Sequence, residues 1–316
     1  MSSGRACCWA RPLALSLVAS LLGGLSACGS RQTPQPTAAV DERLDLTSRA
    51  AGMAFGLREY ARAADLYRQT LARAYARDDW QAIVDTQYNL AVVLLRLGAL
   101  EEAAAVVDDA RAELSRAAQA VPAHLLLLET TIFYRTGQTV AAWDISEQLL
   151  AGAAATEPEV IARVQFLRGL MAAERGDTAR LREAVTALET AAHLELRADH
   201  AELRGYLALA EHNGEAAVQA FDAAAALRRE SLDYVSMGRA LALAGSASER
   251  NGHQRMAAVF YLRAGRSTAQ LGRKQEALHW LMQAQLLARQ AGDDRTLQEV
   301  LAQLARLQAS EPGQGR

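Results

Sequence analysis

The residues best suited to metal ligation or to proton transfer near neutral pH are six histidines, at positions 124, 193, 200, 212, 253 and 279. Only His193 and His200 stand near each other. Seven residues apart, they share a helix face only if one helix runs through both, and Arg197-Ala198-Asp199 reads as a break between them. They are taken as surface histidines, and no metal is assigned. Glu101-Glu102 and Asp108-Asp109 fall in a helical pattern whose apolar partners face elsewhere, which is how a solvated face reads, not a pair of acids in a cleft. Asp293 and Asp294 follow Gly292 and read as the start of a helix. No cysteine follows Cys28, so beyond it there is no thiol nucleophile and no disulfide. HExxH, Gly-x-Ser-x-Gly and a phosphate-cradling loop are all missing from the sequence. The chain reads as a protein that is not an enzyme and takes no cofactor.

What must then be explained is the scaffold. Of the 316 residues, 51% are apolar but only 5% aromatic, and Ala, Leu, Arg, Glu and Gln, the better helix formers, crowd the sequence. That points to an all-α protein with enough chain for a large core. The formal charge is −2, and losing residues 1–27, which contain Arg5 and Arg11 and no acid, makes it −4. No run of like charge offers the concentrated basic face that phosphate binding needs, so nucleic acid is not expected as a partner.

A repeat organises the chain beyond residue 41. Its clearest unit is Tyr88-Asn89-Leu90-Ala91, then Leu94, Gly98, Ala103, Val107 and Ala110. Equivalent small-residue anchors are Ala51, Ala91, Thr130, Gly169, Gly205, Gly245 and Gln285, spaced by 40, 39, 39, 36, 40 and 40 residues. Seven positions after each come Arg58, Gly98, Gly137, Gly176, His212, Gly252 and Gly292. Glycine suits the left-handed conformation that ends a helix; at His212 the following Asn213-Gly214 suggests a turn displaced by two. Twelve and sixteen positions after the anchors stand pairs such as Ala63/Tyr67, Ala103/Val107, Ala217/Phe221 and Ala257/Tyr261, one helical turn apart. This pattern resembles the tetratricopeptide repeat, in which a small residue on helix A lets helix B approach. The resemblance covers about residues 42–309 and implies a right-handed α-solenoid of about seven helix-turn-helix repeats. The period is near 40 where the family's is 34, as if each helix had gained a turn. HEAT-like hairpins share the longer period and are the alternative. The run Leu125 to Leu128 reads as a helix buried on several sides, too short to span a membrane.

The flanks read differently. Arg5 and Arg11, an apolar stretch from Leu13 to Leu25 and small residues before Cys28 form an export signal over residues 1–27. Leu25-Ser26-Ala27-Cys28 resembles the lipobox of bacterial lipoproteins, which implies acylation of Cys28, cleavage before it and a membrane anchor of two or three acyl chains. With Gly29 and Ser30 next, and not an acidic residue, the resemblance implies the outer membrane with the body in the periplasm. Residues 28–40, with Pro34 and Pro36, read as a flexible tether, and residues 310–316 as a disordered tail.

In tetratricopeptide proteins guest peptides lie on the concave surface lined by the A helices. The positions expected to face it include Tyr88, Val92 and Leu95; Leu127, Thr131 and Tyr134; Phe166, Leu170 and Ala173; and Glu202, Tyr206 and Leu209. Ala242, Ser246 and Glu249, then Met282, Leu286 and Arg289, continue the set as a more polar end. Either these side chains line an open groove for an apolar or amphipathic peptide, or longer helices close the superhelix over them as core. The implied function is a lipid-anchored adaptor that holds a protein or peptide partner in the bacterial envelope. In general plan it resembles tetratricopeptide lipoproteins that assist pilus secretin assembly or outer-membrane protein insertion. The alternatives are an adaptor for a cell-wall enzyme and a cytoplasmic regulator that starts downstream of the apparent signal.

Overall fold

The computed structural model describes residues 41–152 and 157–309. The signal segment 1–27, Cys28, the tether to residue 40 and the tail 310–316 lie outside the described residues. Among those described, every regular element is a helix. The hairpins are α1 (Glu42–Gly56) with α2 (Tyr60–Ala76), α3 (Trp80–Leu97) with α4 (Leu100–Arg116), α5 (Ala123–Arg135) with α6 (Thr139–Ala151), and α7 (Pro158–Arg175) with α8 (Thr178–Ala187). They continue as α9 (Leu194–Ala210) with α10 (Gly214–Glu230), α11 (Tyr234–Arg250) with α12 (Gln254–Gln270), and α13 (Lys274–Gln290) with α14 (Asp294–Ala309). The fold is an all-α solenoid of seven tetratricopeptide-like hairpins. Its period is explained by helix length: α9 to α13 are 17 residues each, joined by three-residue turns.

One local device makes these turns. The middle residue takes a left-handed conformation, and the third donates its backbone N–H to a carbonyl five residues back, as Asn213 does to Ala208 at 2.8 Å and Asp233 to Arg228 at 2.8 Å. Where the residue before the next helix is Asp or Asn it also caps that helix: Asp79, Asp177, Asn213 and Asp233 each accept from the backbone N–H three residues on, while His253 and Arg273 make no such side-chain bond. All seven residues at the predicted hairpin turns have positive φ, including Arg58 at 63° and His212 at 60°. The turn at His212 is therefore not displaced: Gly214 is the first residue of α10, and His212 itself adopts the left-handed conformation.

The anchors explain how the helices approach. Gly205 lies against the Phe221 ring so closely that a Cβ there would stand 2.5 Å from a ring carbon. Ala51, Ala91 and Thr130 are buried at corresponding points of the earlier A helices. The last hairpin departs from the expected register. Gln285, Leu297 and Leu301 are half-buried, while Ala284, Thr296 and Val300, one position earlier, are buried. A glutamine at the contact would bury an amide needing partners, and the neighbouring alanine meets the close approach without that cost. The expected break at Arg197-Ala198-Asp199 is also absent, since α9 runs straight through it and Asp199 is held from α10 by Arg228. In α5, Leu125 and Leu128 are buried and Leu126 and Leu127 half-buried. Among the described residues no helix is long and apolar enough to cross a membrane.

The solenoid returns on itself. The Arg58 guanidinium, in the turn between α1 and α2, donates to the carbonyl of Leu232 in the turn between α10 and α11, and lies 5.8 Å from the ring centre of Tyr234 at the start of α11. The turn of the first hairpin thus meets the chain where the fifth hairpin passes into the sixth.

Candidate functional site

The A helices supply the concave face because each anchor turns one side of its helix towards its own B helix and leaves the side one turn away facing inward. Tyr88, Val92, Leu95, Tyr134, Phe166, Leu170, Tyr206 and Leu209 are all half-buried. Each rests its base on the core: Tyr88, Val92 and Leu95 pack on the cluster of α1 to α5, Phe166 and Leu170 on that of α7 to α9, and Leu209 on that of α9 to α14. Their outer edges stay accessible.

Aromatic contacts set the tyrosine orientations. Tyr88 stands edge-on to His124 of α5 with ring centres 4.7 Å apart, and Tyr206 edge-on to Phe221 at 5.2 Å. The Tyr134 hydroxyl donates to the Glu174 carboxylate on α7 at 2.6 Å, linking the third and fourth A helices across the face. Burial and then this bond raise the Tyr134 hydroxyl pKa, with Arg239 of α11 pulling the other way. Burial pushes Tyr206 up to about 12, reinforced by Glu202. Both phenols stay neutral donors at physiological pH.

Between α7, α9 and α11 the face deepens into a cleft of about 370 Å³. Its walls include Ala173, Tyr206, Leu209, Leu243, Ser246 and Arg250, with Asp177, Thr178 and Leu181 at the start of α8 closing one side. Ala173, Tyr206, Leu209 and Ser246 are among the positions predicted from the repeat; Leu243 and Arg250 are not. A partial signal for Arg250 exists in the sequence, because the position five after the anchor is charged in four of the seven repeats, at Arg96, Arg135, Glu174 and Arg250, though it is Gly56, Ala210 and Gln290 in the others. Tyr88, Val92 and Leu95 lie on α3, away from the helices that form this cleft, so the eight predicted residues line one face but do not converge on one pocket. At the far end the expected polar character is only partial: Glu249 accepts from Tyr261 at 3.3 Å, but Met282 and Leu286 on α13 are 61% and 51% exposed.

The candidates for chemistry occupy structural places. Asp293 caps α14, accepting from the Thr296 backbone N–H at 3.1 Å and from its hydroxyl at 2.7 Å. Glu101, Glu102, Asp108 and Asp109 are exposed on α4, and Glu102 pairs with Arg68 of α2 at 2.6 Å. His193 immediately precedes α9 and His200 lies within it. Among the described residues no three His, Cys, Asp or Glu side chains gather as a metal site.

No protein-family model matches the chain, and no curated protein matches it. Solved structures do. A Rap protein complexed with Competence and Sporulation Factor aligns with a TM-score of 0.57 at 14% identity, over 84% of this chain and 87% of that one. A tetratricopeptide repeat protein from Parabacteroides merdae aligns at 0.45 and 14% identity, over 82% and 99% of the two chains. BtubC from P. vanneervenii aligns at 0.46 and 17% identity, over 72% and 92%. The likeness is one of fold.

Proposed function

We propose that this protein is a lipid-anchored adaptor of the bacterial envelope, held to the outer membrane through acylated Cys28, that binds a peptide or protein segment on its concave face. The observation that carries the binding reading is the cleft between α7, α9 and α11, where half-buried Tyr206 and Leu209 offer apolar surface beside the cation of Arg250. Such a mixture, with aromatic anchors on rigid helices, is what a groove for an amphipathic peptide requires. The Rap protein of similar fold carries a bound factor, which supports the same use of the fold here. The anchor reading rests on Leu25-Ser26-Ala27-Cys28.

Two measurements test the halves separately. Mass spectrometry of the mature protein should find an N-terminal Cys28 bearing acyl chains; an intact signal, or a start downstream of it, removes the envelope reading. Tyr206→Ser should keep the helical circular dichroism while losing partners captured by the wild type from detergent-solubilised membranes. Full retention of those partners by the folded variant removes the concave face as the binding site.

A further inference from the structure

A larger cleft, of about 710 Å³, opens on the other side of the stack, where the B helices α10, α12 and α14 flank α11. Its volume lies within the range of about 300–1,000 Å³ common to ligand sites. Four guanidiniums surround it: Arg229 from α10, Arg263 and Arg266 from α12, and Arg306 from α14. The one acid in the lining, Asp222, is taken by Arg263 at 3.1 Å. Arg229, Arg266 and Arg306 are exposed and have no acidic partner among the described residues. Beneath them the floor is apolar, with Leu241 buried and Met237 half-buried.

Three unpaired guanidiniums over an apolar floor are unexpected in a chain of formal charge −2. The planar guanidinium is shaped to hold carboxylates through two parallel hydrogen bonds, so several of them lining one recess suit an acidic ligand. We propose that this cleft is a second docking site, for an acidic peptide segment of a partner protein. Its carboxylates pair with Arg229, Arg266 and Arg306 while an apolar side chain rests on Met237 and Leu241. The apolar floor favours a peptide over a nucleic acid, whose backbone needs an extended basic track. Its recess favours a peptide over a bilayer, whose headgroups lie in a plane. The site does not depend on the concave face, so the protein would join two partners, one on each side of the solenoid.

The test is a selection of displayed random dodecapeptides on the full chain and, in parallel, on Arg229→Glu/Arg266→Glu. Both positions are exposed and unpaired, so the variant should keep its helicity and its urea midpoint. The wild type should enrich clones rich in Asp and Glu with an apolar residue among them. Those peptides should bind the double variant at least tenfold more weakly and Arg266→Gln about threefold more weakly, with affinity falling as salt rises. Tyr206→Ser should leave their affinity within twofold. A wild-type pool without acidic bias, or acidic clones that bind the double variant equally, overturns the proposal. So does equal loss in Tyr206→Ser, which would place the same peptides on the concave face.

Discussion

The hairpins from α9 to α14 and those from α5 to α8 are built on the same plan, yet they hold together differently. In the later hairpins a single apolar cluster runs unbroken from Ala208 to Leu307, drawing on every helix from α9 to α14. In the middle hairpins the core falls into three small groups: Ala123 with Val164, Ala142 with Met171, and Ala172 with Leu203. Helix length accounts for the difference. α5 and α6 have 13 residues and α8 has 10, and the links between hairpins depart there from the three-residue turn. A shortened B helix covers less of its neighbours, so each group joins adjacent hairpins but none extends further along the stack. The middle compensates with a polar seam. Trp143 of α6 is surrounded by Arg168 and Arg175 of α7 and Arg180 of α8, at 4.0, 5.6 and 4.8 Å from its rings, and its ring N–H donates to Glu147 at 2.9 Å. The lesson is that the period of 40 does more than repeat a motif: it is the helix length at which successive hairpins share one core.

The largest expected effect lies at the one charged site inside the tightly packed later hairpins. Arg228 of α10 is buried against Asp199, with Glu202 and Asp233 each 3.7 Å away. Arg228→Met leaves three carboxylates around a cation that is gone and should cost about 3–5 kcal/mol in urea unfolding. A loss below about 1 kcal/mol would mean that packing alone holds this region. Next comes Trp143→Leu, which keeps an apolar residue but removes the stacked guanidiniums. It should cost about 1–2 kcal/mol and speed amide exchange in α5 to α8 while leaving α10 to α13 unchanged. Equal acceleration in both regions would erase the contrast between them.

A smaller effect is read against pH. Burial raises the Asp199 and Glu202 carboxyl pKa values, with Arg228 pulling them back. A carboxyl raised in the folded state favours folding while protonated; its contribution is whole below the ordinary range near about pH 4 and fades as pH rises through the folded value. Glu202→Gln should therefore be the more stable protein at neutral pH, with the gap closing as pH falls towards that range. A gap independent of pH would show that Glu202 titrates normally. The smallest effect is Arg58→Ala, which cuts the link from the first hairpin to Leu232 and Tyr234. Its cost should stay under about 1 kcal/mol, and its readout is a larger radius of gyration by X-ray scattering. An unchanged radius would mean that stacking angles alone close the coil.

Much of this was legible in the chain. The seven turn residues from Arg58 to Gly292 mark the left-handed position within each hairpin, because a helix can end this way only where its backbone leaves the right-handed region; the left-handed residues between hairpins, Asp78, Ala118, Leu232 and Gly272, went unmarked. Ala103, Ala217 and Ala257 are buried where the spacing put them. Where the reading missed, local appearance competed with context. Asn213-Gly214 looked like a displaced turn, but Gly214 opens α10 with the Asn251 side chain of the next hairpin packed directly against it. Arg197-Ala198-Asp199 looked like a loop, but its acid is buried against an arginine 29 residues away.

The sequence by itself determined the helices, their pairing and the shared half-buried placement of Tyr88, Tyr134, Phe166 and Tyr206 on the A helices, since these follow from spacing within one or two turns of chain. Only the tertiary structure decided that Tyr206 and Leu209 meet Arg250 in a cleft, that Arg229, Arg266 and Arg306 converge across three helices, and that Arg58 reaches Leu232. The physical reason is that each hairpin adds a small rotation to the one before. Where distant repeats meet depends on the sum of those rotations, which is set by packing between hairpins and is written in no single repeat.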